Sequence, residues 1–88
     1  MNVAIVGSNF GLRGYLPAIN EIKGLNIKII CSRNKNKFSP KKIENFEHET
    51  NWKNIFKKNI DLIILAVPPK LQEEIILYNL RYKKKIIF

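Results

Sequence analysis

A single cysteine and a single histidine set the first limits on this sequence. Cys31 has no partner for an internal disulfide, and Cys31 with His48 falls short of the three or four ligands of an ordinary zinc site. Disulfide-stapled secreted scaffolds and zinc modules are thereby excluded. Long apolar runs are missing as well. The longest, 62–67, is far below the ~20 residues that cross a bilayer, and no basic segment precedes a longer apolar core at the N-terminus. The chain is expected to be soluble and cytoplasmic, with no membrane contact. Internal repeats, low-complexity tracts and Gly/Ser linkers are absent too, so residues 1–88 are expected to form one domain. At this length a core forms with roughly 60% of the chain's surface buried.

Acidic groups are scarce, seven against sixteen Lys and Arg, which leaves a formal charge of +9. Such a charge suits phosphate through counterion release. Lysine, isoleucine and asparagine are abundant together, however, and this compositional bias is preferred to a selected nucleic-acid surface. Tyr78, Tyr82 and the cations Arg81, Lys83, Lys84 and Lys85 read in the same way, as a solvated helix end with cations at the C-terminal dipole.

What is present is an alternation of short apolar runs with helical spacing. Val3-Ala4-Ile5-Val6, closed by Gly7, has the form of a strand buried on both faces of a parallel sheet. Leu12, Leu16, Ile19 and Ile22 recur on one helical face that Gly24 ends, with a bend at Pro17. A second strand, 27–31, leads to a helix started by Ser39-Pro40, with Ile43 and Phe46 facing inward. A weak third strand fits between Phe46 and Thr50, and Thr50 or Asn51 caps a helix carrying Trp52, Ile55 and Phe56. Leu62-Ile63-Ile64-Leu65-Ala66-Val67 is the strongest strand, stopped by Pro68-Pro69. Helical spacing then runs over 70–82, and Ile86-Ile87-Phe88 begins a last strand. The expected fold is α/β, a Rossmann-like doubly wound parallel sheet of about five strands, incomplete, in a single domain.

In such a sheet the ligand crevice opens at the carboxyl ends of the strands, where strand order reverses beside the first strand. Two loops meet there: Gly7-Ser8-Asn9-Phe10-Gly11-Leu12-Arg13-Gly14 after strand one, and Ala66-Val67-Pro68-Pro69 after the strand beyond the switch point. A pyrophosphate at the first loop would meet free amides and the positive end of a helix dipole. Glycine at the first, third and sixth positions is the standard dinucleotide spacing, and only Gly7 matches it; Asn9 and Leu12 stand at the other two. Asn9 tolerates left-handed backbone while crowding a pyrophosphate slightly. A tight structural turn is the other reading of this loop.

Dinucleotide-binding domains normally present an acid to the adenosine ribose at the end of strand two. Here that place holds Ser32 and Arg33, with Lys35 and Lys37 beyond, which suits a 2′-phosphate and favours NADP over NAD. The alternative is a solvated basic loop. Cys31 reads as a small buried apolar residue, and His48, between Glu47 and Glu49, as a surface residue.

The combination of Asn2-Val3-Ala4-Ile5-Val6-Gly7, Phe10-Gly11, Leu16-Pro17-Ala18, Cys31-Ser32-Arg33-Asn34, Asn51-Trp52, the run 61–69 and Gln72 resembles the N-terminal nucleotide-binding domain of the Gfo/Idh/MocA oxidoreductases. The resemblance spans essentially all 88 residues. It implies backbone contacts from Phe10, Gly11 and Leu12 to a cofactor pyrophosphate, Ser32 and Arg33 at the adenosine ribose or its phosphate, and Ala66, Val67 and Pro68 near the ribose region. It further implies an NAD(P)-dependent oxidoreductase of the kind that acts on sugar or polyol CH–OH groups. Family members continue into a Glu-Lys-Pro motif and a second, substrate-binding domain. The expectation is therefore a cofactor-binding unit that does not turn over substrate alone, and that self-associates through its last strand or pairs with a separately encoded C-terminal half. A non-catalytic interaction or assembly module is the second reading, and a basic nucleic-acid-binding protein the third.

Overall fold

The apolar runs form the strands expected of them. A computed structural model describes residues 1–7, 21–32 and 46–88. The five strands are β1 (Asn2–Gly7), β2 (Asn26–Cys31), β3 (Glu47–Glu49), β4 (Leu62–Ala66) and β5 (Lys85–Ile87), in the spatial order β3-β2-β1-β4-β5. Every pairing is parallel. The strand order reverses at β1, which places the switch point between β1 and β4. The helix expected over 12–22, except its last two residues, and the helix started by Ser39-Pro40 lie outside the described residues.

Alternation divides β1 and β4 between two cores. Val3, Ile5, Ile27, Ile30, Leu62 and Ile64 are buried on one face, against Leu25 and Phe46. Ala4, Val6, Ile29, Cys31, Ile63 and Leu65 are buried on the other, beneath Ile55, Phe56, Ile60 and Ile75. Strand β2 keeps step only through an irregularity: Val3 pairs with Ile27, but Ala4 pairs with Ile29. Lys28 is the extra residue and is exposed. Skipping it lets the uninterrupted run Ile29-Ile30-Cys31 serve both faces in the register that β1 requires.

Asn51 caps the segment after β3, as the sequence implies, its Oδ1 accepting from the Lys53 amide at 3.1 Å. The helix expected here is a 3-10 helix, Trp52–Lys57. Its bonds span three residues, as from the Asn54 amide to the Asn51 carbonyl and from the Lys58 amide to the Ile55 carbonyl. Six residues are enough to bury Ile55 and Phe56.

Helix α1 (Pro69–Asn79) begins one residue before the expected span and ends three before it. The reason for the early stop is Asn79, whose side chain accepts from the Lys84 amide at 2.9 Å and donates to the Lys84 carbonyl at 2.8 Å. The Tyr82 and Lys83 amides both return to the Asn79 carbonyl. Lys83 takes a left-handed backbone, φ 58°, to make this turn. Lysine carries a steric cost there that glycine does not, so Lys83→Gly is expected to raise stability by up to about 1 kcal/mol. Asn79→Ala should lower it by about 1–3 kcal/mol by stranding partly buried partners. Urea unfolding of the two variants checks both signs.

The amino-terminal rim of the sheet is stitched together. The Asn2 amide donates to Asp61 Oδ2 at 2.7 Å and the Asp61 amide to the Asn2 carbonyl at 2.8 Å. The Met1 ammonium donates to the Gly24 carbonyl, at a turn where Gly24 has φ 88°. Lys84 Nζ donates to the carbonyls of Lys58 and Ile60. The opposite rim carries Gly7, Ser32, Ala66, Val67 and Pro68, the residues singled out for binding that the structure describes.

Candidate dinucleotide site

At the carboxyl rim, β1 and β4 end side by side with Gly7 opposite Ala66. The approach is close enough to exclude any side chain from Gly7. A Cβ built there would stand 2.8 Å from the Ala66 carbonyl oxygen and 3.0 Å from the Ala66 Cβ. Gly7 is therefore required by packing at the switch point, whatever ligand lies above it. After Ala66 the chain passes through Val67 and Pro68, which is extended at φ −59°, ψ 153° and stands at the helix N-cap. Pro69 occupies the first helical position, where no amide is needed. The first helical bond runs from the Gln72 amide to the Pro68 carbonyl, which leaves the Lys70 and Leu71 amides ahead of it at the positive end of α1. Pro68 is exposed, and Ala66 and Val67 are partly so.

On the other side of β1, the last pair with β2 is Val6 with Cys31, and one residue further on stand Gly7 and Ser32. Ser32 is buried, 5% exposed, and its amide continues the ladder to the Glu49 carbonyl at 3.0 Å. Its hydroxyl lies 2.9 Å from Nε2 of His48. The reading of His48 as a surface residue is thus corrected: it is partly buried, its Nδ1 is fully buried, and it packs against a predicted site residue. The cause is register. His48 pairs with Ile30, and Ser32, two residues beyond Ile30, projects from the same face.

The acids that flank His48 are both engaged. Glu47 is bonded to Lys58. Glu49 accepts from the Thr50 and Asn51 amides at 3.0 Å each and from Asn54 Nδ2 at 3.2 Å. Hydrogen bonding from the Asn51 amide, outweighing partial desolvation and aided by Asn54, Thr50 and the charge of Lys58, holds the Glu49 carboxyl below its ordinary range. Beside it, burial foremost and the Glu49 charge second push the Cys31 thiol up to about 12.

Gly7, Ser32, Ala66, Val67 and Pro68 share the carboxyl rim, as expected of a crevice at the switch point. Asn9, Phe10, Gly11, Leu12, Arg33 and Lys37 lie outside the described residues. Tyr78 and Tyr82 are committed elsewhere. They pack with Trp52 and Phe56 in an aromatic cluster with ring centroids 5.1–6.1 Å apart. Lys53 Nζ stands over Trp52 and Tyr78. Among the described residues no group of three His, Cys, Asp or Glu is placed to hold a metal, and no helix is long and apolar enough to cross a membrane.

Comparison with known proteins agrees with this architecture. No significant match was found among curated protein sequences. A crystal structure of "a putative oxidoreductase" from Magnetospirillum magnetotacticum MS-1 superposes with a TM-score of 0.75 at 20% identity, covering 98% of this chain and 28% of that one. The chain thus spans little more than a quarter of the length of that structure, and the likeness is one of fold. The sequence itself matches, over residues 1–88, the model of the oxidoreductase family with an NAD-binding Rossmann fold, GFO_IDH_MocA. With its five parallel strands in the order 3-2-1-4-5, the chain belongs to that family, as its NAD-binding Rossmann domain.

Proposed function

We propose that this chain binds a nicotinamide dinucleotide across the carboxyl rim, with NADP preferred to NAD. The pyrophosphate lies over Gly7 and is met by Asn9, Phe10, Gly11 and Leu12, the bare Gly7 backbone leaving room for a phosphate at the end of β1. The adenosine ribose lies at Ser32, Arg33 and Lys37, and the Ala66-Val67-Pro68 segment flanks the second ribose. The observation that carries the preference is the end of β2. Ser32 offers a buried hydroxyl, and the nearby carboxylates of Glu47 and Glu49 are already held by Lys58 and by backbone amides. A ribose 2′-hydroxyl finds no free acid acceptor among the described residues there, whereas a 2′-phosphate needs only donors and cations. When bound, the nicotinamide ring supplies hydride chemistry. The role proposed for these 88 residues is to hold the cofactor, without substrate turnover.

Arg33→Ala is the decisive variant. NADPH affinity is expected to fall by about 1.5–3 kcal/mol, the range of a charged hydrogen bond, with NADH nearly unchanged. Equal losses for the two cofactors would remove the 2′-phosphate assignment. A short DNA duplex titrated in parallel separates the cofactor reading from the nucleic-acid one. A chain that takes up neither ligand would fit the interaction-module reading instead.

A further inference from the structure

The pairing of Ser32 with His48 assigns His48 a role at this rim that its position between two acids hides. The Ser32 hydroxyl is 2.9 Å from His48 Nε2, and Nδ1 of the same ring is buried and has no hydrogen-bond partner among the described residues. A neutral imidazole carries one N–H and one bare nitrogen, and a serine hydroxyl carries one proton and two acceptor lone pairs. If the ring proton sat on Nδ1, a buried donor would go unpaired, and Nε2 would consume the Ser32 proton. With the proton on Nε2, the ring donates to Ser32 Oγ and buries only a bare nitrogen. The second arrangement leaves no orphan N–H and is favoured. It has a consequence for ligands, because the hydroxyl has then accepted its bond from His48 and keeps its own proton to give.

We propose that His48 is a positioning residue that makes Ser32 a hydrogen-bond donor toward an acceptor oxygen at the end of β2, a ribose hydroxyl or a 2′-phosphate. This rests on the dinucleotide reading above. The ring stands on the face of Ile30, and the Ser32 backbone is fixed by the hydrogen bond that its amide donates to the Glu49 carbonyl. Glu49 pairs with Cys31 on the alternate side of the strand, with its carboxylate engaged by Thr50, Asn51 and Asn54. It therefore does not compete for the Ser32 proton.

Long-range ¹H–¹⁵N NMR of the histidine ring in the full chain reads the tautomer without any cofactor. A proton on Nε2 is expected, and a proton on Nδ1 overturns the assignment. Titration with NADPH supplies the second readout. His48→Gln, whose amide still donates, should stay within about twofold of the parent chain, whereas His48→Phe and Ser32→Ala should each weaken binding roughly three- to tenfold. The His48→Phe/Ser32→Ala double variant should bind no more weakly than Ser32→Ala alone, since His48 acts only through the Ser32 hydroxyl. Additive losses, or a glutamine variant as weak as the phenylalanine one, overturn the proposal. If the parent chain binds neither NADPH nor NADH, the dinucleotide reading fails, and the tautomer alone decides the assignment of His48.

Discussion

Gly7→Ala is expected to lower the melting temperature sharply and to remove cofactor binding with it. The added methyl would stand 2.8 Å from one backbone atom of Ala66 and 3.0 Å from its Cβ. Both neighbours belong to β4, which is paired with β1 along five consecutive positions from Val3–Leu62 to Gly7–Ala66. Neither strand yields without disturbing Val6 and Leu65, which are buried just before the contact. Overpacking of this kind costs about 1–3 kcal/mol. For a domain of 88 residues, whose whole stability is about 4–13 kcal/mol, that is a large share. Each kcal/mol shifts the melting temperature by about 4–8 °C in a domain of this size. Valine adds two further methyls and should leave little folded chain.

Gly24→Ala separates packing from backbone strain. Gly24 has φ 88° and nothing within 4 Å of the added carbon, so alanine meets only a conformational cost there of about 1–2 kcal/mol. It lies on the amino-terminal side of the sheet, away from the proposed crevice, and should leave NADPH binding of the folded fraction intact. Thermal unfolding and NADPH titration of the two variants together test the argument. A Gly7→Ala chain that melts with the parent would show that β1 and β4 separate freely at the switch point. The packing account of Gly7 would then be wrong.

The parts of this molecule that were legible in the sequence are those decided by local composition. β1 and β4 are continuous apolar runs, and β2 one interrupted only at Lys28, because both of their faces are covered, and each run ends where a breaker follows: Gly7, Ser32 and Pro68. Gly7, Ser32, Ala66, Val67 and Pro68 could be placed at one rim for the same reason, since in a parallel sheet every strand ends on the same side. Features set by contacts across strands were not legible. The irregularity at Lys28 is required by the register against β1, and nothing in Asn26-Ile27-Lys28-Ile29 marks it. His48 is hidden for a related reason, because its neighbour Ser32 comes within reach only once Glu47–Glu49 has been paired with Ile29–Cys31. One signal did exist: a lone histidine in a short segment destined for the edge, beside a strand that a serine follows. The early end of α1 depends on a side chain, Asn79, reaching forward to Lys84, and apolar spacing does not report such a cap.

Cys31 is expected to resist alkylation in the folded chain and to react readily once the chain unfolds. Its side chain is 3% exposed, at the carboxyl end of β2 and in the core shared with Val6, Ile29 and Leu65. Burial in that apolar setting, reinforced by the Glu49 charge, raises the thiol from an ordinary 9.0 to about 12. The thiolate is the reactive form, so the raised value leaves far less of it in the folded chain than in the unfolded one at neutral pH. Steric exclusion of the reagent adds to this. The same shift fixes the sign of a pH dependence. Because the folded thiol holds its proton more tightly than the unfolded one, the stability tied to this group is full below about 9 and declines as pH rises toward about 12. Glu49 acts in the opposite direction. Its lowered folded value means that its contribution is present above the ordinary carboxylate range and is lost as pH falls through that lower value. Iodoacetamide labelling at pH 8, with and without urea, tests the cysteine directly. Labelling that follows the unfolded fraction is the expected result. Rapid labelling of the folded chain would show that the rim beside Ser32 opens far more often than this packing allows, and that the end of β2 is not the rigid support on which the proposed ribose site depends.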